Sequence, residues 1–247
     1  IGARSVPRQY GLIPTSYLFV NDGNGHFTDI AKGSNSGLAT VGMVTGAVWA
    51  DMVGDIRKEL VIVGEWTAPA VFSFDGNEIK KIKTNLDNLS GWWQSVTAAD
   101  VNNDGKQDLV LGNIGENFYL RPDEHHPVKL WVNDFDQNGI IDKVVTHTIN
   151  GKDMPVFLKN DLSDAMPFLK KLNLKHAEYA LKSIQELIPA AAISSAITRQ
   201  FNYSSSCVAT NKDNGQFLLS KLPPLIQLSS VNAIHCMDVN TDGYLDL

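Results

Sequence analysis

The stretch Asp100-Val101-Asn102-Asn103-Asp104-Gly105-Lys106-Gln107-Asp108 decides the fold, because its spacing recurs twice. Asp134-Phe135-Asp136-Gln137-Asn138-Gly139-Ile140-Ile141-Asp142 repeats it, and so does Asp238-Val239-Asn240-Thr241-Asp242-Gly243-Tyr244-Leu245-Asp246. Each has oxygen side chains at positions 1, 3, 5 and 9 and glycine at position 6. A hard divalent cation wants this arrangement. Calcium takes six to eight oxygens at about 2.3–2.6 Å from alternate residues of a curled loop, with a backbone carbonyl near position 7 and glycine supplying a positive φ. The ligands expected are therefore Asp100, Asn102, Asp104, Asp108, Asp134, Asp136, Asn138, Asp142, Asp238, Asn240, Asp242 and Asp246, with the carbonyls of Lys106, Ile140 and Tyr244. The competing reading is three Asp/Asn/Gly turns that bind nothing, since turns favour the same residues.

The flanks separate these loops from the helix-flanked, twelve-residue calcium loop. Ser95–Ala99, Val128–Val132 and Val231–Met237 precede them, and Leu109–Leu111, Lys143–Val145 and Leu247 follow. Short runs rich in β-branched residues read as strands, so each loop joins two strands of a hairpin. A degenerate fourth copy spans Asp51–Glu59: Val53 replaces a ligand, Ile56 replaces the glycine, and Arg57 and Lys58 enter the loop. Their positive charge can stand in for a metal's, and this loop is expected to be empty.

The loops begin at 51, 100, 134 and 238, a period of about 35–50 residues outside one long interruption, which suggests propeller blades. Tyr17–Val20, Asn21–Gly25 and His26–Ile30 form a further hairpin, repeated by Cys207–Thr210, Asn211–Gly215 and Gln216–Leu219. The interruption, 160–199, carries apolar residues at Leu174, Ala177, Leu181, Ile184 and Ile188. That periodicity predicts an amphipathic helix of about four turns, capped by Asn173 and ended by Pro189, after a short helix at Ala165–Leu172. The expected organisation is all-β: blades over 1–159, a small helical insertion over 160–199 packed on the rim, and a further blade over 200–247. The chain begins at Ile1 without methionine and stops in a strand-like run at Leu247, so it reads as a piece of a longer protein.

These residues resemble the FG-GAP/VCBS repeat β-propellers, and within them the bacterial proteins of the cartilage acidic protein type that accompany an ASPIC/UnbV domain. The resemblance is carried by Gly2–Pro7 before Tyr10-Gly11, Tyr17–Ile30, Ala47–Asp51, Val63–Trp66, Gly91–Trp93, the loop from Asp100, Gly112–Asn117, and the run Asn211–Leu247. It implies a seven-bladed or similar propeller, incomplete in this chain, placed outside the cell, in the periplasm or on the cell surface. It also implies Ca2+ in the three intact loops.

Composition excludes several alternatives. The 247 residues carry a formal charge of −6, so there is no basic excess to neutralise nucleic-acid phosphates. No apolar run is long enough to span a bilayer. The three loops hold nine aspartates and one lysine, so the acidity is concentrated there and the remaining residues carry a small positive excess. No nucleophile elbow, zinc-protease or P-loop pattern occurs, and the histidines are scattered. His235 and Cys236 are neighbours on an expected strand and so point to opposite faces. Cys207 and Cys236 either pair in an oxidising compartment or remain free thiols.

Two features remain for recognition of a protein or glycan ligand. Trp92 and Trp93 either stack on a sugar ring or a partner, or pack into a blade core. Asn113 and Asn117, in the polar loop Gly112–Asn117, either bind a ligand or shape a turn. The leading expectation is a non-enzymatic, calcium-binding adhesion or ligand-binding module. The alternative is a glycan-binding accessory module, or a glycan-processing enzyme with Trp92 and Trp93 lining a cleft.

Overall fold

The computed structural model describes every residue except Ile56, Asn77 and Asn173. The degenerate loop's position 6 and the expected helix cap therefore lie outside the described residues. In chain order the strands are β1 (Phe19–Asn21), β2 (Phe27–Asp29), β3 (Met43–Ala50), β4 (Glu59–Thr67), β5 (Ala70–Asp75), β6 (Glu78–Ile82), β7 (Gly91–Trp92), β8 (Ser95–Ala99) and β9 (Asp108–Gly112). After these come β10 (Val128–Asn133), β11 (Asp142–Ile149), β12 (Lys152–Pro155), β13 (Ile197–Phe201), β14 (Cys207–Asn211) and β15 (Phe217–Lys221). Among the described residues four short helices, α1 (Lys159–Ala165), α2 (His176–Tyr179), α3 (Ile184–Leu187) and α4 (Ala190–Ser194), lie between β12 and β13. The chain is mostly β.

It divides into two compact units, one of residues 1–4, 13–119 and 203–247, the other of 5–12 and 120–202. This partition differs from the expected boundaries at 160 and 199. The helical segment shares a unit and a core with the sheet that precedes it.

The first unit holds three antiparallel sheets: β1-β2, β3-β4-β5-β6 with β7 added to β4, and β15-β14-β9-β8. β4 carries the apolar run Leu60–Val63 between two buried glutamates, Glu59 and Glu65, and is buried on both faces. Val61 and Val63 enter one core with Leu109, Leu111, Cys207, Ala209 and Trp93. Leu60 and Ile62 enter a second with Phe72 and Leu38. Alternation along a strand sends neighbours to opposite faces, so a strand covered on both sides carries apolar residues at consecutive positions, as at Leu60–Val63. Two close approaches need glycine. At Gly112 in β9 a Cβ would sit 2.2 Å from Ser95 Oγ and 2.3 Å from Val231 O, and at Gly64 in β4 it would sit 2.3 Å from Met43 O.

The two expected hairpins form, with the same turn chemistry. Gly23 N–H donates to Asn21 Oδ1 and Asp213 N–H to Asn211 Oδ1, each at 2.9 Å. Asp22 N–H closes one loop onto His26 O at 3.0 Å, and Lys212 N–H closes the other onto Gln216 O at 2.8 Å. The strand expected at Val231–Met237 does not form. Residues 229–236 carry no strand assignment. Ser95 Oγ donates to Val231 O at 2.7 Å and Val231 N–H to Asn113 O at 2.9 Å, while Met237 and Asp246 exchange two N–H···O bonds at 3.1 and 2.9 Å.

In the second unit β12-β11-β10-β13 form one antiparallel sheet, and Trp131 and Val144 pack with Leu162, Met166, Leu169, Tyr179, Ile184 and Leu187 of the helical segment. The single four-turn helix is replaced by α2 and α3, and residues 167–172 form a 3-10 helix that Pro167 opens. The break is chemical. Ser183 N–H and Oγ both donate to Glu186 Oε2, at 2.8 and 2.9 Å, a capping box that starts a new helix at Ile184. Leu181, expected on the buried stripe, is 75% exposed.

Glu186 supplies a pH prediction. The Ser183 N–H and hydroxyl, followed by Lys152, hold its carboxyl down to about 2. A carboxyl lowered on folding contributes stability above its unfolded value that is lost as pH falls through the folded one. The α3 cap should therefore weaken from about pH 4.5 towards pH 2. NMR titration of the Glu186 carboxyl should give a midpoint near 2. Glu186→Gln should remove that component of the acid dependence.

Candidate metal centre

The three Asp loops share one backbone scaffold. Position 4 is left-handed in each, at Asn103 (φ 56°), Gln137 (φ 60°) and Thr241 (φ 62°). Glycine at position 6 follows at φ 84–86°. The glycine requirement was legible in the sequence; the non-glycine turn at position 4 was not. That double turn lets the chain wrap around its own first carboxylate. Asp100 accepts N–H bonds from Asp104 and Gly105 at 3.1 and 2.8 Å, Asp134 from Asn138 and Gly139 at 3.0 and 2.8 Å, and Asp238 from Asp242 and Gly243 at 3.2 and 2.9 Å.

The other oxygen positions are fixed in the same way. Position 3 accepts from the N–H of position 5 in all three loops. Position 5 accepts from the N–H of position 7, at 3.0 Å for Asp104, 2.7 Å for Asn138 and 2.9 Å for Asp242. Position 9 reaches back to position 2: Asp108 accepts from Val101 N–H at 3.3 Å, Asp142 from Phe135 N–H at 3.1 Å and Asp246 from Val239 N–H at 3.0 Å. Position 2 is apolar in every copy, a signal the sequence carried unread. Phe135 is buried in the second unit's core, so that loop is anchored by its own side chain.

The donor set fits a calcium ion in the loop 134–142. Carboxylate oxygens of Asp134, Asp136 and Asp142 lie within 4.8 Å of one another, as oxygens about 2.4 Å from a shared centre must. In the other two loops the position-3 amide turns its nitrogen onto the position-5 carboxylate, Asn102 to Asp104 at 3.1 Å and Asn240 to Asp242 at 2.9 Å. Burial, with Asp136 and Asp134 nearby, pushes the Asp142 carboxyl up despite the Phe135 N–H bond. Burial likewise raises Asp108, near Asp104 and Asp100. A buried carboxylate surrounded by acids is short of positive charge, which a cation supplies.

The degenerate loop keeps the frame but lacks the position-3 oxygen, where Val53 stands. Met52 N–H bonds Glu59 Oε2 at 2.8 Å, reproducing the position 2 to 9 tie, and Gly54 takes the left-handed place at φ 79°. Arg57 Nε and Nη2 grip Asp55 Oδ2 at 3.0 and 2.8 Å.

The other expected ligand-binding residues fall differently. Trp93 is fully buried, its Nε1 3.3 Å from Leu89 O and its ring stacked on Tyr203, so it is a core residue and not a ligand platform. Trp92 is half-buried between Trp66 and the edge of Phe118. Asn113 is fully buried, donating from Nδ2 to Tyr203 O at 3.0 Å and accepting from Ile114 N–H, which makes it a turn-former. Asn117 is exposed, with Nδ2 on Leu228 O at 3.2 Å. Cys207 and Cys236 are unpaired, and burial pushes the Cys207 thiol up to about 12. His235 and Cys236 lie outside any strand.

The loop–strand–turn order from Asp51 onward can be set against known families. Residues 51–111 match the FG-GAP-like repeat. The FG-GAP-like repeat therefore opens on the degenerate loop and closes in β9, taking in the intact loop 100–108. No curated protein and no solved structure matches the chain.

Proposed function

We propose that the chain is a calcium-binding, β-propeller-type module that acts outside the cytoplasm by binding a protein or glycan, without catalysis of its own. The observation that carries this reading is the threefold recurrence of one oxygen-lined loop with the same internal hydrogen bonds. The four-stranded antiparallel sheets are the size of propeller blades, which supports a propeller of the kind the FG-GAP-like repeat builds. The bladed closure, the number of blades and the relation to ASPIC/UnbV-associated proteins belong to this proposal. Calcium here pins hairpin ends, a structural role. Among the described residues no helix is long and apolar enough to cross a membrane.

The test is thermal unfolding with EDTA, Mg2+ or Ca2+. Extracellular calcium modules bind at about 10⁻⁴–10⁻³ M, so 10 mM Ca2+ should stabilise each occupied site by roughly 1.4–2.7 kcal/mol. That predicts a rise in Tm on the order of 5–15 °C, with a smaller response to Mg2+. No shift with millimolar Ca2+ would sink the proposal.

A second reading, glycan binding, is favoured by Trp92, Phe118 and the 72% exposed Tyr119, whose rings form a contiguous aromatic cluster. Exposed aromatic faces of this kind can stack on sugar rings. Glycan-array binding lost in Tyr119→Ala would support it.

A further inference from the structure

We propose that Asn211 is a positioning residue that couples cation binding in the loop 100–108 to docking of the β14–β15 hairpin. The inference rests on the calcium reading above and deepens it. Asn211 is only 2% exposed, and every hydrogen-bonding group of its side chain is engaged. Its Nδ2 donates to Met52 O at 3.1 Å and Gln107 O at 3.3 Å, and its Oδ1 accepts from Asp213 N–H at 2.9 Å. Its backbone N–H donates to Asp108 Oδ1 at 2.8 Å.

The hairpin thereby grips three consecutive loop positions. Lys106, whose carbonyl would face the ion, pairs through Nζ with Asp213. Gln107 is held through its carbonyl, and Asp108 through its carboxylate. Asp108 has one oxygen closed by its own loop, from Val101 N–H, and the other by a strand about a hundred residues later in the chain. Among the described residues, Asp142 and Asp246 accept only from position 2 of their own loops.

The turn alone does not account for this. Asn21 occupies the same place in the β1–β2 hairpin and makes the same Oδ1 bond to the N–H two residues on, yet it is exposed. The bonds from Nδ2 and N–H to another loop are the part that Asn211 adds. A ligand carboxylate held by two N–H groups is oriented before the ion arrives, and the partners that orient metal ligands commonly control affinity by 10–100-fold. Coupling is reciprocal, so the ion must tighten hairpin docking by the same factor.

The experiment is a Ca2+ titration of the full chain followed by the amide resonances of Gly105, Gly139 and Gly243, in wild type and Asn211→Ser. Serine keeps an oxygen for Asp213 N–H and removes the amide donor. The Gly105 response should move to about 10–100-fold higher Ca2+, with Gly139 unchanged. Equal Gly105 titrations in both proteins overturn the coupling and leave the calcium reading standing. If no glycine amide responds to Ca2+ in wild type, both readings fall together. Hydrogen exchange in wild type needs no variant to fold: saturating Ca2+ should slow exchange of the Asn211 amide by a comparable factor, and an unchanged rate overturns the proposal.

Discussion

Trp93→Ala should cost the first unit about 3–5 kcal/mol, the range for emptying a buried tryptophan site. The ring is fully buried among Val61, Val63, Leu109 and Cys207, and its indole N–H is satisfied by Leu89 O at 3.3 Å. Its neighbours cannot collapse into the space cheaply, because they belong to three strands fixed by ladders. Gly91 has no side chain because a Cβ there would lie 2.5 Å from the Trp93 ring. Against a typical total of about 5–15 kcal/mol, the loss is a large fraction of stability. Denaturant unfolding should give a lowered midpoint with the slope unchanged. Trp92→Ala, at the half-buried neighbour, should cost clearly less.

At Asp142 the size of the effect depends on the replacement. Asp142 is an expected cation ligand, and it is also the acceptor for the buried Phe135 N–H at 3.1 Å. Asp142→Ala removes both roles. Without calcium it should destabilise the second unit by about 1–3 kcal/mol, the cost of an orphaned buried donor. With 10 mM calcium the deficit should grow by a further roughly 1.4–2.7 kcal/mol, as the ion's contribution is lost as well. Asp142→Asn keeps an oxygen for Phe135 and removes the charge that burial already disfavours. Its stability in EDTA should equal or exceed that of wild type, while the calcium response of this unit disappears. Melts of the three proteins with and without Ca2+ separate the roles; a full calcium response in Asp142→Asn would show that the carboxylate holds no ion.

The loops and most strands were legible because their signals are local. Oxygen spacing and the glycine at position 6 fix a loop within nine residues, and β-branched flanks such as Leu109–Leu111 fix its strands. Reading failed where the deciding contact is distant or where two local signals compete. Val231–Met237 has a strand's composition, but its polar anchors are Ser95 and Asn113, and it forms no strand ladder. The stripe from Leu174 to Ile188 has helical periodicity, yet the Ser183/Glu186 capping box interrupts it. Trp92 and Trp93 are a pair in sequence, yet Trp92 ends β7 at the edge of the core while Trp93, just past the strand, is fully buried. Asn211 read as an ordinary turn residue, because its partners Met52, Gln107 and Asp108 lie far from it along the chain.

The neighbours β9 and β14 carry a consequence for the order of synthesis. They pair in one sheet, Leu111 with Cys207 and Leu109 with Ala209, yet about ninety residues separate them along the chain. At about 5–20 residues per second, a ribosome needs on the order of ten seconds to travel from one to the other. Throughout that interval the nascent chain displays the unpaired edge of Leu109–Leu111, a strand whose residues are all buried once folding is complete. Open apolar edges recruit other chains. The intervening 120–202 contains a whole sheet with its covering helices, so most of the second unit can mature while the first still waits for its closing hairpin. Slow translation across this region, or a chaperone that shields β9, should therefore govern the yield of folded protein more than the stability of the finished molecule does.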